Sequence, residues 1–221
     1  EKAAQILGME AALFVASGTM GNQVCINVLT EPGQEVICSA TAHIVHDEHA
    51  GLATNSGVSA VPIDSPYGYI TAEQVEEKIR PDVYYYSKTG LIEIENTMNY
   101  PGGRVFPQEE VEKILKLAEK RSIPLHLDGA RIFNAAVASK RDVKELVRGF
   151  DSVSFCMSKG LGAPIGSVVA GSKDFIEEAR RVRYRLGGGM RQVGIMCAAG
   201  LYSLENNVQR LEDDHRNARL L

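Results

Sequence analysis

Short β-forming segments alternate with amphipathic helical patterns along most of this chain, and this alternation restricts the fold more than any other feature. Strand-like runs lie at residues 35–39, 58–63, 89–95 and 124–128, and helical patterns separate most of them. Parallel strands need a crossover connection, which is usually a helix. The alternation therefore predicts a mostly parallel α/β sheet flanked by helices. A chain of 221 residues can bury a sizeable core as one domain of this kind.

Two of the strand-like segments lead to a charged residue. Residues 124–128 end at Asp128, and the β-forming run that begins at Ser152 leads to Lys159 and then to two glycines. Ligands of parallel α/β sheets bind at the carboxyl ends of strands, so we expect Asp128 and Lys159 in one crevice. A lysine at a buried strand end has a lowered pKa and can attack a carbonyl. The alternatives are a surface lysine at a strand edge and a buried Asp–Lys ion pair.

This pair of residues is the one that pyridoxal 5'-phosphate (PLP) requires. The cofactor uses a lysine that bonds its aldehyde carbon and an acid that pairs with its pyridine nitrogen. A helix that begins at Ser17-Gly18-Thr19 and runs to about Leu29 offers free backbone N–H groups, which suit a phosphate. An ordinary N-cap with glycine punctuation is the alternative explanation of that segment.

Three histidines lie at a spacing of three on a helix predicted from about Thr41, namely His43, His46 and His49. This spacing brings them near one another on a helix, so a metal site is one interpretation. No motif such as H-E-x-x-H accompanies them. We therefore expect no metal.

The balance of charges and the cysteines restrict the class of protein. Lys+Arg 24 against Asp+Glu 28 gives a net charge of −4, which argues against nucleic-acid and membrane partners. The four cysteines show no C-x-x-C spacing and suggest buried thiols in a reducing compartment. No apolar run is long enough to span a membrane, and no secretory leader is visible. We expect a cytoplasmic protein with no nucleic-acid or membrane partner.

Four phrases, in order along the chain, resemble the threonine aldolase family of PLP enzymes, within the aspartate-aminotransferase superfamily. They cover residues 8–23, 126–134, 158–167 and 187–192. The resemblance implies the fold type I architecture, with residues 1–221 as the large PLP-binding domain. The family's N-terminal arm and small C-terminal domain are expected to be absent from this chain.

The resemblance also implies roles for single residues. Lys159 would carry PLP, Asp128 would pair with the ring nitrogen and His43 would stack on the ring, so these three are the expected catalytic residues. Gly18 and Thr19 would bind the phosphate. Arg131 would bind the substrate carboxylate with its guanidinium fork. The complete expected cofactor-binding set is Gly18, Thr19, His43, Asp128, Arg131, Ser158 and Lys159.

Two positions depart from the family pattern. Met98 stands in the phrase at residues 95–99 where the family usually has a histidine near the substrate hydroxyl, and Met98 cannot exchange a proton. Asp47 stands four residues after His43, where an aromatic residue is common. We expect Asp47 and Met98 to contact the substrate, with Asp47 or His46 accepting the hydroxyl proton. A water molecule is the alternative acceptor.

The function implied is cleavage of a β-hydroxy amino acid, of the threonine or allo-threonine type, to glycine and an aldehyde. The nearest alternative is a PLP-dependent β-eliminating lyase or a related enzyme on the same fold. A nucleotide-binding module is disfavoured because residues 160–166 lack the G-x-G-x-x-G spacing. A non-catalytic assembly surface is disfavoured by the presence of both Lys159 and Asp128. The loop at residues 187–191 resembles a family loop at a subunit boundary, so we expect a homodimer or homotetramer.

Overall fold

Seven strands form one mixed sheet in the computed structural model, which describes residues 1–220. The strands are β1 (Ala11–Val15), β2 (Glu35–Ser39), β3 (Ser59–Ile63), β4 (Thr89–Glu95), β5 (Leu125–Asp128), β6 (Ser152–Cys156) and β7 (Ser167–Gly171). Their order across the sheet is β1-β7-β6-β5-β4-β2-β3. Strand β7 is antiparallel to both of its neighbours, and the other neighbouring pairs are parallel. The predicted mostly parallel mixed sheet is confirmed.

Helices cover both faces of this sheet. They are α1 (Lys2–Leu7), α2 (Gly18–Leu29), α3 (His43–His46), α4 (Ala72–Lys78), α5 (Gln108–Arg121), α6 (Ile132–Ser139), α7 (Val143–Val147), α8 (Lys173–Arg185), α9 (Gly194–Asn206) and α10 (Leu211–Ala218), with a π-helical segment at Leu52–Ser56. Thr71 and Gln74 form the capping box that their spacing predicts for α4. Within residues 1–220, no helix has both the length and the apolar character needed to cross a membrane.

The two faces of the sheet differ because successive residues of a strand point to opposite sides. On one face, aliphatic and aromatic side chains pack against α5 and α6. They include Ile92, Ile94, Leu125, Leu127, Val153 and Phe155. The other face lies against α2 and is polar in its central strands. Its buried residues include Glu93, Glu95, His126, Asp128, Ser152 and Ser154.

The structure corrects two predicted element boundaries near the site. The helix predicted through His49 ends at His46, because His49 and Ala50 have φ values of 51° and 58° in the left-handed region. The three histidines therefore do not share one helix. Strand β6 ends at Cys156, and Lys159 lies in the following turn, closed by a hydrogen bond from the Gly162 N–H to the Lys159 carbonyl oxygen at 2.9 Å.

The sequence from Gln192 onward predicts one helix that packs Ile195, Ala198, Ala199 and Tyr202, whereas the structure has the two helices α9 and α10 there. The expected packing of Ile195 and Tyr202 is wrong, since these side chains are 80% and 64% exposed. Gly200, Ser203 and Leu204 form the buried side of α9 instead.

Candidate active site

A cavity of about 190 Å³ lies at the carboxyl ends of the neighbouring strands β4, β5 and β6. Parallel α/β sheets bind their ligands at this edge. The structure brings the whole predicted cofactor-binding set into the lining of this one cavity. Its members are Gly18, Thr19, His43, Asp128, Arg131, Ser158 and Lys159. Larger cavities elsewhere in the molecule, such as one of about 820 Å³ beside α5, are lined by none of these residues.

Asp128 and Lys159 both line the cavity but do not form an ion pair with each other within residues 1–220. Asp128 is 3% exposed, and its Oδ1 accepts a hydrogen bond from the Ala130 N–H at 3.0 Å. The Lys159 side chain is exposed. The alternative of a buried Asp–Lys ion pair and the expectation of a buried lysine are therefore both wrong. The Lys159 amine is free to meet an aldehyde that enters the cavity.

The N-terminus of α2 forms another part of the lining. Ser17 caps the helix, with its Oγ accepting from the Met20 N–H at 3.1 Å. The first turn of a helix leaves N–H groups without intrahelical partners and carries partial positive charge. A Cβ atom on Gly18 would lie 2.8 Å from the Cys156 Sγ, so a side chain does not fit there. The backbone thus comes close to the cavity, as phosphate binding requires.

His43 is fixed at the cavity by two acidic side chains. Its Nδ1 lies 2.8 Å from Glu48 Oε1, and its backbone N–H donates to Glu95 Oε2 at 3.0 Å. The hydrogen bond to Glu48 raises the pKa of His43, although burial opposes this rise. Glu48 is itself only 4% exposed and accepts from Gln23 Nε2 at 2.6 Å. The imidazole ring therefore has one well-determined position.

Sequence reasoning missed several residues of the site. One of them, Glu95, places a carboxylate in the cavity lining. Glu95 ends β4 directly beside Asp128 in the sheet register and lines the cavity. Its Oε1 accepts from the Asn99 N–H at 2.8 Å. Burial raises the pKa of Glu95, and the nearby charge of Asp128 adds to the rise. The rule that identified Asp128, a polar residue at the end of a strand, would also have identified Glu95.

Ligand atoms of His43, Glu48 and Asp128 lie within 4.8 Å of one another, a spacing that a metal site could use. However, Asn22 Nδ2 lies 2.8 Å from Glu48 Oε1 and 2.6 Å from Asp128 Oδ2. An amide donor between two carboxylates uses the oxygens that a cation would need. We therefore interpret His43, Glu48 and Asp128 as members of a hydrogen-bonded cluster.

The remaining predicted residues lie outside the cavity lining. Asp47 is exposed, and its Oδ1 accepts from the Tyr100 hydroxyl at 3.1 Å. The His46 ring contacts the same tyrosine in a tilted arrangement, with ring centroids 5.6 Å apart and planes at 54°. Met98 is 3% exposed and belongs to the apolar core. The substrate contacts of Asp47 and Met98 stay predictions.

Comparison with known proteins shows the family to which the chain belongs. The family model described as "Beta-eliminating lyase" matches residues 1–221. The probable low-specificity L-threonine aldolase 2 of Arabidopsis thaliana is 46% identical over 225 residues, which cover 100% of this chain and 63% of that protein. The low specificity L-threonine aldolase of Escherichia coli (strain K12) is 43% identical over 217 residues, covering 98% of this chain and 64% of that protein.

A solved structure is similar as well. A putative L-allo-threonine aldolase from Listeria monocytogenes EGD-E superposes with a TM-score of 0.87 at 26% identity. The match covers 96% of this chain and 58% of that one. The chain thus spans somewhat less than two thirds of the length of these relatives.

Proposed function

Because this chain belongs to the beta-eliminating lyase family, we propose that it is the cofactor-binding part of a PLP-dependent carbon–carbon lyase. The proposed reaction is cleavage of a β-hydroxy amino acid of the threonine or allo-threonine type to glycine and an aldehyde. The observation that carries the proposal is the convergence of Lys159, Asp128, His43 and the N-terminus of α2 on one cavity. The names of the Arabidopsis and Escherichia coli relatives support the choice of substrate.

The residues of the cavity fit PLP. The Lys159 amine would bond the aldehyde carbon, and the buried Asp128 carboxylate would hold a proton at the pyridine nitrogen. The N–H groups at Gly18 and Thr19 would bind the phosphate. The fixed imidazole of His43 would cover the ring. When bound, PLP supplies an electron sink that allows the Cα–Cβ bond of the amino acid to break.

The chain must also bind the substrate and accept its hydroxyl proton. The guanidinium of Arg131 lines the cavity and suits a substrate carboxylate. Asp47 remains a candidate proton acceptor, but Glu95 is a carboxylate in the cavity lining itself. The raised pKa of Glu95 brings its basicity toward the range that a general base needs. We therefore place Glu95 ahead of Asp47 for this role.

A second candidate function is β-elimination on the same cofactor. Met98 lies in the core, so the side chain at this position brings no proton-transfer group to the substrate hydroxyl. Product analysis of the full-length protein separates the two functions. Glycine with an aldehyde supports the aldolase, whereas pyruvate with ammonia supports the lyase and contradicts our proposal.

We propose that the protein assembles as a homodimer or homotetramer. Apolar side chains on α9 are exposed in the single chain, namely Ile195, Met196, Leu201 and Tyr202. Such a surface is typical of a subunit contact. The glycine loop after α8 lies close to the proposed phosphate end of the site, since a Cβ on Gly188 would lie 2.7 Å from Met20 Sδ.

The four free cysteines support a reducing compartment, and we propose the cytoplasm.

A further inference from the structure

Asn22 occupies the centre of the buried polar face, with 1% of its surface exposed. Its Nδ2 donates to Glu48 Oε1 at 2.8 Å and to Asp128 Oδ2 at 2.6 Å. Its Oδ1 accepts from Ser154 Oγ at 2.7 Å and lies 3.1 Å from His126 Nε2. These four contacts use both donors and both acceptor positions of the amide.

We propose that Asn22 is a positioning residue that holds the carboxylates of Asp128 and Glu48 side by side, and so links Asp128, the acid that would pair with the ring nitrogen, to His43. The proposal rests on the proposed function, because the ring nitrogen is that of PLP. Glu48 touches His43 at 2.8 Å, and Asn22 touches Glu48 and Asp128. One amide therefore connects the two protein groups expected to act on the ring.

The physical reason is the repulsion between two buried carboxylates. At short distance in a buried site two negative charges repel strongly, and hydrogen-bond donors placed between them offset this repulsion. A neutral amide supplies two such donors in a fixed plane. An aliphatic residue at position 22 would leave Asp128 without its 2.6 Å donor and without a fixed direction.

The rest of the network determines which way the amide points. Burial lowers the pKa of His126 to about 4, so this ring is neutral at pH 7. Its Nδ1 lies 2.8 Å from Ser152 Oγ, which can donate, and this leaves the Nε2 hydrogen for Asn22 Oδ1. Ser154 donates to the same oxygen. A flipped amide would place N–H groups against two donors, so Nδ2 must face the carboxylates.

The first experiment needs no cofactor. In the PLP-free full chain, the Cε1–H signal of His43 is followed by NMR against pH. Asn22→Ser removes a hydrogen-bond donor from the buried Glu48 carboxylate, which makes Glu48 a stronger acceptor for the His43 imidazolium, so we expect the midpoint of His43 to rise by about 1 pH unit. Asn27→Ser is the matched control, because Asn27 lies on the same helix and its Nδ2 donates away from the site to the Asn55 carbonyl oxygen at 2.7 Å. Equal midpoints in both variants overturn the proposal.

The second experiment uses the PLP-loaded protein. We expect Asn22→Ser to weaken PLP binding about tenfold, since Asp128 loses a charge-assisted hydrogen bond. We also expect it to move the ¹⁵N shift of labelled PLP toward the unprotonated pyridine value. In an Asp128→Asn background the effect of Asn22→Ser on affinity should fall below about twofold. An effect of the same size in both backgrounds indicates a merely structural role and contradicts the proposal.

The two proposals can fail separately. If the wild-type chain does not take PLP onto Lys159, the proposed function is wrong, and the His43 titration alone decides the role of Asn22. If Asn22→Ser does not fold, as judged by circular dichroism, Asn22→Thr in both experiments decides it.

Discussion

The two faces of the central sheet are equally buried and chemically opposite. On β6, Phe155 is 1% exposed on the apolar face, and its neighbour Ser154 is 2% exposed on the polar face. Phe155 meets Phe133 edge-on, with ring centroids 5.2 Å apart, while Ser154 donates a hydrogen bond to Asn22. Burial of apolar area stabilises the fold directly. Buried polar groups stabilise it little, and they cost free energy unless each is hydrogen-bonded.

The difference shows how one sheet can serve two purposes. The apolar face contributes stability, and the polar face places groups of defined direction at the strand ends. Most of the polar face is satisfied by the Asn22 network. Glu93 is the exception within residues 1–220, because both of its carboxyl oxygens are buried without a hydrogen-bond partner. If the two faces differ in this way, substitutions on the polar face should mainly change activity, and substitutions on the apolar face should mainly change the free energy of unfolding.

The largest effect is expected at the end of the polar face. Lys159→Ala should abolish the adduct that borohydride traps between PLP and the chain, because Lys159 is the lysine that lines the cavity within residues 1–220. Turnover should fall by about 10³-fold or more. Peptide mapping of the trapped wild-type protein locates the adduct. Since Lys159 is exposed, the unfolding free energy of the PLP-free variant should match that of the wild type. An adduct on a different lysine would contradict the assignment of Lys159 as the residue that binds PLP.

The next effect belongs to the apolar face. Phe155→Ala removes a ring that is 1% exposed, and the cavity left behind should lower the free energy of unfolding by about 3–5 kcal/mol. Ser154→Ala, the adjacent position on the polar face, should cost about 1 kcal/mol, since it removes one hydrogen bond. Urea denaturation of both variants measures the contrast. Equal losses would show that the two faces do not differ in the way we describe.

A smaller effect should separate the two candidate proton acceptors. Glu95→Gln is expected to slow carbon–carbon cleavage by about 10²-fold, the lower part of the range for a positioned general base. Asp47→Asn should slow it less, because Asp47 is paired with Tyr100 outside the cavity lining. Steady-state rates with several β-hydroxy amino acids provide the measurement. A larger loss in Asp47→Asn would favour Asp47, the acceptor predicted from the sequence.

The smallest effect concerns Glu93 and depends on pH. Burial raises the pKa of Glu93 well above its usual value of 4.5. A carboxyl group of this kind favours the folded state most below its unfolded pKa and loses that contribution as pH rises toward its folded pKa. Glu93→Gln should therefore be more stable than the wild type at pH 7, by about 1–3 kcal/mol, with the gap closing toward pH 4.5. Denaturation at several pH values measures this gap, with the exposed Glu77→Gln as control. A gap that does not depend on pH would contradict the account.

Local patterns in the sequence were enough to predict the sheet, one helix cap and several residues of the candidate site. The alternation of strands and helices predicted the mixed, mostly parallel sheet, and the Thr71–Gln74 spacing predicted the cap of α4. Asp128 was predicted at the end of a strand, and it is the last residue of β5. The family resemblance, which the match over residues 1–221 confirms, placed seven residues that all line one cavity. These features depend on local periodicity, helix caps and short motifs, all of which involve residues close together in the sequence.

Tertiary structure alone decided which side chains meet. Asn22 is 26 positions from Glu48 and 106 positions from Asp128, yet it touches both. Lys159 is exposed in a turn because the pairing of β6 with β7 ends at Cys156 and Ser167. The helix predicted through His49 stops at His46, and the residues after it turn so that Glu48 reaches His43, Asn22 and Gln23. Such contacts depend on strand register and on the docking of α2 against the sheet, and both are set by packing between residues far apart in the chain.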